Sequence, residues 1–172
     1  MVFMSAPNHR AYAPQSVAVH VITVSDTRTM ETDTSGRAIA ELLAAKGHVV
    51  HGRTMLKDEP SDVRAAVQRL ASDASVAAVI TTGGTGVTAR DGTFEAVDGL
   101  LHKRLPGFGE LFRMLSYGEI GAAAMLTRAT AGLVGRTVVI VLPGSEHAVR
   151  LAMEKLVLPE LGHLVSEATA TR

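Results

Sequence analysis

Cysteine is absent from the 172 residues, which excludes a disulfide framework, thiolate metal sites and a cysteine nucleophile. A reducing, cytoplasmic setting agrees with that absence. Tryptophan is absent too, and four Phe with two Tyr bring aromatics to only 3%. That is too few for the stacking platforms that grip single-stranded nucleic acid. Neither sign of charge is in excess, since 17 basic residues face 17 acidic ones. Non-specific attraction to nucleic acid or to an anionic membrane therefore has no electrostatic basis. No apolar run reaches the roughly 18–20 residues that span a bilayer. The opening MVFMSAPNHRAYAPQS has no apolar signal core and is expected to be a loose arm over residues 1–16.

What is present is a globular composition, 47% hydrophobic and 20% charged. The expected organisation is a single domain over residues 17–165 with a short tail at 166–172, and no internal repeat or linker. VAVHVITV (17–24) is β-branched and almost continuously apolar, as in a strand covered on both faces. DTSGRAIAELLAAKGH predicts a helix capped by Asp33 or Thr34, buried along Ile39, Leu42 and Leu43 and stopped at Gly47. A weaker strand at 48–56 precedes a helix opening near Pro60 or Ser61, whose inner face carries Val63, Ala66, Val67 and Leu70. VAAVITT (76–82) is a third buried strand. The order β-α-β-α-β predicts parallel strands joined by helical crossovers. Two short helices, 93–101 and 108–118, are expected on either side of Pro106-Gly107. An antiparallel pair ending in TVVIVL (137–142) follows, and then a last helix kinked or broken at Pro159.

Four polar or glycine-rich loops leave strand carboxyl ends, where open α/β sheets bind ligands. They are SDTR (25–28), KDEP (57–60), TTGGTGVTARDGT (81–93) and LPGSEH (142–147). TTGGTG lacks the Gly-Lys-Ser/Thr of the nucleotide P-loop and the spacing of the dinucleotide loop. Its glycines can still turn backbone N–H groups onto an anion, with Thr82 and Thr85 adding hydroxyls, or it can be a tight turn without a ligand. Asp91 admits two readings, a cap of the helix starting near Thr93 or an Mg²⁺ ligand. Asp58 either opens the Pro60 helix or faces Asp91 across the cleft. Asp26 is a third carboxylate, and the neighbouring Arg28 can take a phosphate. Ser145 is a helix cap or an anion donor. The seven histidines show no metal-ligand spacing: His48 and His51 should lie on opposite strand faces, and His20 should be a hydrogen-bonded core residue. No Gly-x-Ser-x-Gly elbow is present. Carboxylates beside an anion loop suggest metal-assisted phosphoryl or nucleotidyl transfer.

Taken in order, SDTR, DTSG, KDEP, TTGGTGVTARDGTFEA, GEIGAAAML with the following Arg and TAG, and LPGS resemble the MoaB/Mog family of molybdenum-cofactor biosynthesis proteins, with the GSEHAV context nearer its MoaB branch. The resemblance spans roughly residues 17–165. It implies a three-layer α/β/α sandwich with a mostly parallel sheet and an antiparallel edge strand, assembled as a homotrimer or homohexamer. It implies molybdopterin as ligand, with AMP transferred from Mg-ATP to the pterin phosphate and pyrophosphate released. It also implies contact with the molybdate-inserting enzyme of the same pathway. Carried over by position, catalysis and Mg²⁺ binding fall on Asp58 and Asp91. Substrate binding falls on Thr82, Gly83, Gly84, Thr85 and Gly86, and on the rim residues Ser25, Asp26, Gly144 and Ser145. Glu119 matches a Gly-Glu pair of the family. The alternative is a non-catalytic, pterin-binding or regulatory oligomer of the MoaB branch.

Overall fold

The computed structural model describes residues 13–170. Most of the expected N-terminal arm, residues 1–12, and the last two residues of the expected tail lie outside the described residues. The chain runs β1 (Ala18–Val24), α1 (Thr34–Ala45), β2 (Val49–Leu56), α2 (Pro60–Ala71), β3 (Ala78–Thr82), α3 (Thr93–Asp98) and β4 (Lys103–Arg104). It continues through α4 (Pro106–Ile120), a 3₁₀ turn (Gly121–Leu126), β5 (Thr130–Val134), β6 (Thr137–Leu142), α5 (Glu146–Ala152), a π turn (Met153–Val157) and α6 (Leu158–Thr169). No helix among the described residues is long and apolar enough to cross a membrane.

The six strands form one sheet in the order β2-β1-β3-β6-β5-β4. The first four are parallel, whereas β5 is antiparallel to β6 and to β4. The chain thus steps one way from β1 to β2 and then crosses back to β3, so the switch point lies between β1 and β3. Period-two alternation sends Val19 and Val21, Ala78 and Ile80, and Val138 and Ile140 to one face. There they meet Ile39 and Leu43 of α1, Phe112 of α4 and Met153 and Leu161 of the last helical stretch. Ile22, Val24, Val79, Val139 and Val141 point to the other face, against Val63 and Val67 of α2 and Val97 of α3. The three-layer architecture is the consequence.

Two local expectations change, and one short strand appears that the sequence did not announce. Pro106 does not separate two helices but occupies the first turn of α4, where its missing N–H has no partner to lose. The two-residue β4 lies just before it, a charged pair whose strand character comes only from pairing with Gly132 and Leu133. Pro159 does not break the last helix. Its ring would strike the carbonyl four residues back, at Lys155, and that residue sits in a turn widened to π geometry. The helix then continues to Thr169.

Candidate functional site

The loops after β1, β2, β3 and β6 enclose one cleft of about 460 Å³ at the switch point. Ser25, Asp26, Arg28, Asp58, Thr82, Gly83, Gly84, Asp91, Gly144 and Ser145 all line it. Thr85 and Gly86 do not. Thr85 is buried and gives its carbonyl to Arg128 at 3.0 Å, whereas Gly86 is exposed.

The glycines are required by space as well as by torsion. Gly83 (φ +98°) and Gly84 (φ +63°) occupy the left-handed region. A Cβ on Gly83 would stand 2.1 Å from the Val24 carbonyl oxygen. A Cβ on Gly84 would stand 2.2 Å from Thr93 Oγ1 and 2.7 Å from Asp58 Oδ2, and one on Gly86 would stand 2.6 Å from Asp91 Oδ2. The two carboxylates therefore press on the glycine loop at separate points.

The local readings of these aspartates are both corrected. Asp91 does not cap α3, whose cap position is Gly92. Its Oδ2 turns back into the loop and accepts the Thr88 hydroxyl at 2.5 Å and the Thr88 N–H at 3.0 Å. These bonds, Thr88 hydroxyl foremost, hold the Asp91 carboxyl below its ordinary range. Asp58 does not open α2, which Glu59 precedes without a side-chain cap. Instead Asp58 Oδ1 accepts the Gly92 N–H at 3.3 Å, so a loop two strands away holds the start of α3. Asp58 is buried. Burial first, and then the charges of Asp91 and Asp26, push its carboxyl upward.

Asp26 is the hub of the rim. Its carboxylate accepts Arg90 Nε at 2.9 Å and the Asp58 N–H at 3.1 Å. These contacts lower its carboxyl to about 2. Arg90 also meets Glu59 at 2.7 Å, joining three loops through one guanidinium. Ser25 shapes its own loop, accepting the Arg28 N–H at 3.1 Å. Arg28 donates to Ser35 Oγ at 2.9 Å and to the Gly144 carbonyl at 3.1 Å. The Thr82 hydroxyl is not free for an anion, because it donates to the Pro143 carbonyl at 2.8 Å and ties the ends of β3 and β6 together. Ser145 caps α5, accepting the Ala148 N–H at 3.2 Å. Glu119 gains a structural place, pairing from the end of α4 with His147 two residues beyond Ser145.

Arg90, Thr88, Ser35 and Arg128 lie in the motifs quoted above, but sequence alone assigns them no site role. The visible signal for Arg90 is a lone cation inside the glycine loop, next to Asp91. Arg128 lies over the Phe94 ring, contacts Glu95 and holds the Thr85 and Asp91 carbonyls, contacts set only by tertiary structure. Asp33 is deeper. Burial would raise its carboxyl, but the Gly36 N–H at 2.8 Å, Thr23 at 2.8 Å and Arg53 at 2.7 Å outweigh it and keep it lowered. These contacts fix the start of α1 beneath the cleft.

Comparison with known proteins places this arrangement in a family. Residues 20–163 match the family described as "Probable molybdopterin binding domain". The "Molybdenum cofactor biosynthesis protein B" of Bacillus anthracis is 52% identical over 165 residues, covering 95% of this chain and 98% of that protein. A crystal structure of a molybdenum cofactor biosynthesis protein B superposes with a TM-score of 0.88 at 52% identity, covering 91% of this chain and 98% of the other. The tungsten cofactor synthesizing protein MoaB from Pyrococcus furiosus gives a TM-score of 0.81 at 39% identity, with 92% and 100% covered. The family match over residues 20–163 spans the four cleft loops, and the chain belongs to the MoaB/Mog family of molybdopterin-binding domains.

Proposed function

We propose that this cleft binds molybdopterin and transfers AMP from ATP to the pterin phosphate, releasing pyrophosphate. The observation that carries the reading is the placement of Asp58 and Asp91 against Gly84 and Gly86, two carboxylates on one glycine loop. Among the described residues lining the cleft there are three carboxylates, two guanidiniums and no imidazole. That set lacks a nucleophile–base pair. A phosphate monoester needs none, since its second pKa is about 6 and it is largely ionised at neutral pH. The attacking phosphate oxygen bonds to the α-phosphorus and the bond to the pyrophosphate bridging oxygen breaks. Arg28 and the N–H groups of the loop orient the attacking phosphate.

The residues fit a hard cation. Asp58 is pushed up by burial and by the charges of Asp91 and Asp26, a repulsion that a divalent ion relieves. Mg²⁺ binds through one or two carboxylates together with substrate phosphates. Asp58 and Asp91 would hold it, and when bound it supplies neutralisation of charge on the leaving group.

A second reading, a pterin-binding oligomer without turnover, is favoured by Asp91 itself, whose Oδ2 already takes two bonds from Thr88. The deciding experiment incubates the purified chain with molybdopterin and Mg-ATP and follows AMP on the pterin. Pterin binding without AMP transfer would establish the second reading. Both readings include a homotrimer or homohexamer. Its support is the exposed apolar row Met114, Tyr117, Ile120, Met125 and Leu126 on α4 and the following 3₁₀ turn. A monomeric mass by light scattering would refute that assembly.

A further inference from the structure

The parallel ladder between β1 and β2 is broken once. Val19 pairs with Val50, but His20 pairs with Gly52, leaving His51 as an extra residue. Such a bulge re-aims the side chain it inserts. His51, expected to be placed by simple alternation with His48, is turned toward His20 instead. The two Nδ1 atoms stand 3.1 Å apart. Gly52 gives the His20 ring its seat, because a Cβ there would lie 2.9 Å from His20 Cε1.

The remote nitrogens are engaged as well. His20 Nε2 lies 2.8 Å from Thr54 Oγ1, and His51 Nε2 lies 3.2 Å from Ser75 Oγ. Ser75 has one hydroxyl proton and gives it to Asp73 Oδ1 at 2.6 Å. His51 Nε2 must therefore be the donor to Ser75, which leaves Nδ1 of a neutral His51 bare. Moving the His20 proton to Nε2, with the Thr54 hydroxyl turned to accept it, bares the second Nδ1. The pair then presents two bare Nδ1 atoms 3.1 Å apart, each ring held by a hydroxyl on its far side. Metal-binding histidines are oriented in this way.

We propose that His20 and His51 form a two-imidazole site for a divalent transition-metal cation of the Zn²⁺ class, separate from the cleft. With metal–nitrogen bonds of about 2.0–2.1 Å, the 3.1 Å separation subtends an angle of about 100°. That lies between octahedral and tetrahedral values. Among the described residues no group of three or more His, Asp or Glu gathers to hold a metal. The protein thus supplies two ligands and water completes the shell, admitted from the exposed His51 side. His20 is buried, and burial, then His51 and then Arg69, favour its neutral form. Arg69 opposes a cation here and the Asp73 carboxylate, joined through Ser75, favours it. Imidazole pairs suit Zn²⁺, Cu²⁺ and Ni²⁺.

The test is calorimetric titration of the full chain with ZnCl₂ at neutral pH, beside His51→Ala. His51 is exposed, so its truncation leaves the core intact. The expected result is uptake of one Zn²⁺ by the unaltered chain, weakened at least about ten-fold in the variant. Cu²⁺ paramagnetic resonance provides a second readout, with coupling to two imidazole nitrogens in the unaltered chain and loss of that signature in His51→Ala. Equal Zn²⁺ affinity in the two proteins would assign the metal to other histidines and overturn the proposal. No uptake at millimolar ZnCl₂ would overturn it too, leaving the pair as a hydrogen-bonded strut.

Discussion

Gly84→Ala tests whether the glycine loop is shaped by its torsions or by the carboxylate beside it. At φ +63° the alanine costs about 1–2 kcal/mol of left-handed strain. Its Cβ meets Thr93 Oγ1 at 2.2 Å and Asp58 Oδ2 at 2.7 Å, an overpacking that typically costs about 1–3 kcal/mol. Thr93 Oγ1 has no hydrogen bond to lose, so the damage falls on Asp58 and its hold on Gly92. The stiffer unfolded chain returns about 0.4–1 kcal/mol. The net loss is about 1–5 kcal/mol. The matched control is Gly135→Ala in the β5–β6 turn, with φ +61° and nothing within 4 Å of its Cβ. It carries the strain without the contacts. Chemical denaturation of both variants isolates the contact contribution as their difference, expected at about 1–3 kcal/mol. In thermal melts of a chain this size, each kcal/mol shifts Tm by roughly 2–4 °C. Equal losses in the two variants would refute the claim that Asp58 and Thr93 crowd the loop.

Three further outcomes follow from the same geometry. Asp91→Asn should lower AMP transfer by about 10²–10³-fold while pterin binding persists, and unchanged turnover in single-turnover kinetics would remove Asp91 from the mechanism. Carboxyl NMR should show Asp26 titrating at about 2. Because that value is depressed, the associated stability is complete above the unfolded carboxyl value of about 3.9 and is lost as pH falls toward 2. Arg90→Ala should raise Asp26 toward the ordinary range, the Asp58 N–H still holding it partly down, and an unmoved titration would contradict the contact. Phe112→Ala, fully buried on α4 and stacked on Phe108 with ring centroids 6.4 Å apart, should cost about 3–5 kcal/mol by urea denaturation.

The elements legible in the sequence are those with local punctuation. Asp33 and Gly47 bracket α1, and Pro60 opens α2 above the buried face Val63, Ala66, Val67 and Leu70. The convergence of four loops followed from strand order alone. What stayed hidden is set by partners distant in the chain. Lys103 and Arg104 carry no strand pattern and are extended only because β5 pairs with them. The roles of Asp58 and Asp91 could not be apportioned, since local spacing offers each the nearer helix, whereas Asp58 reaches 34 residues forward to Gly92. The bulge at His51 was invisible for a similar reason, because alternation within a strand assumes an unbroken ladder.

The guanidinium of Arg90 makes the rim of the cleft sensitive to salt. It ties Asp26 to Glu59 while standing in the glycine segment itself, so the mouth has one clasp rather than three independent flaps. Exposed ion pairs of this kind are individually weak and are screened by salt. Ionic strength therefore sets how firmly the three loops are held together at the mouth of the cleft.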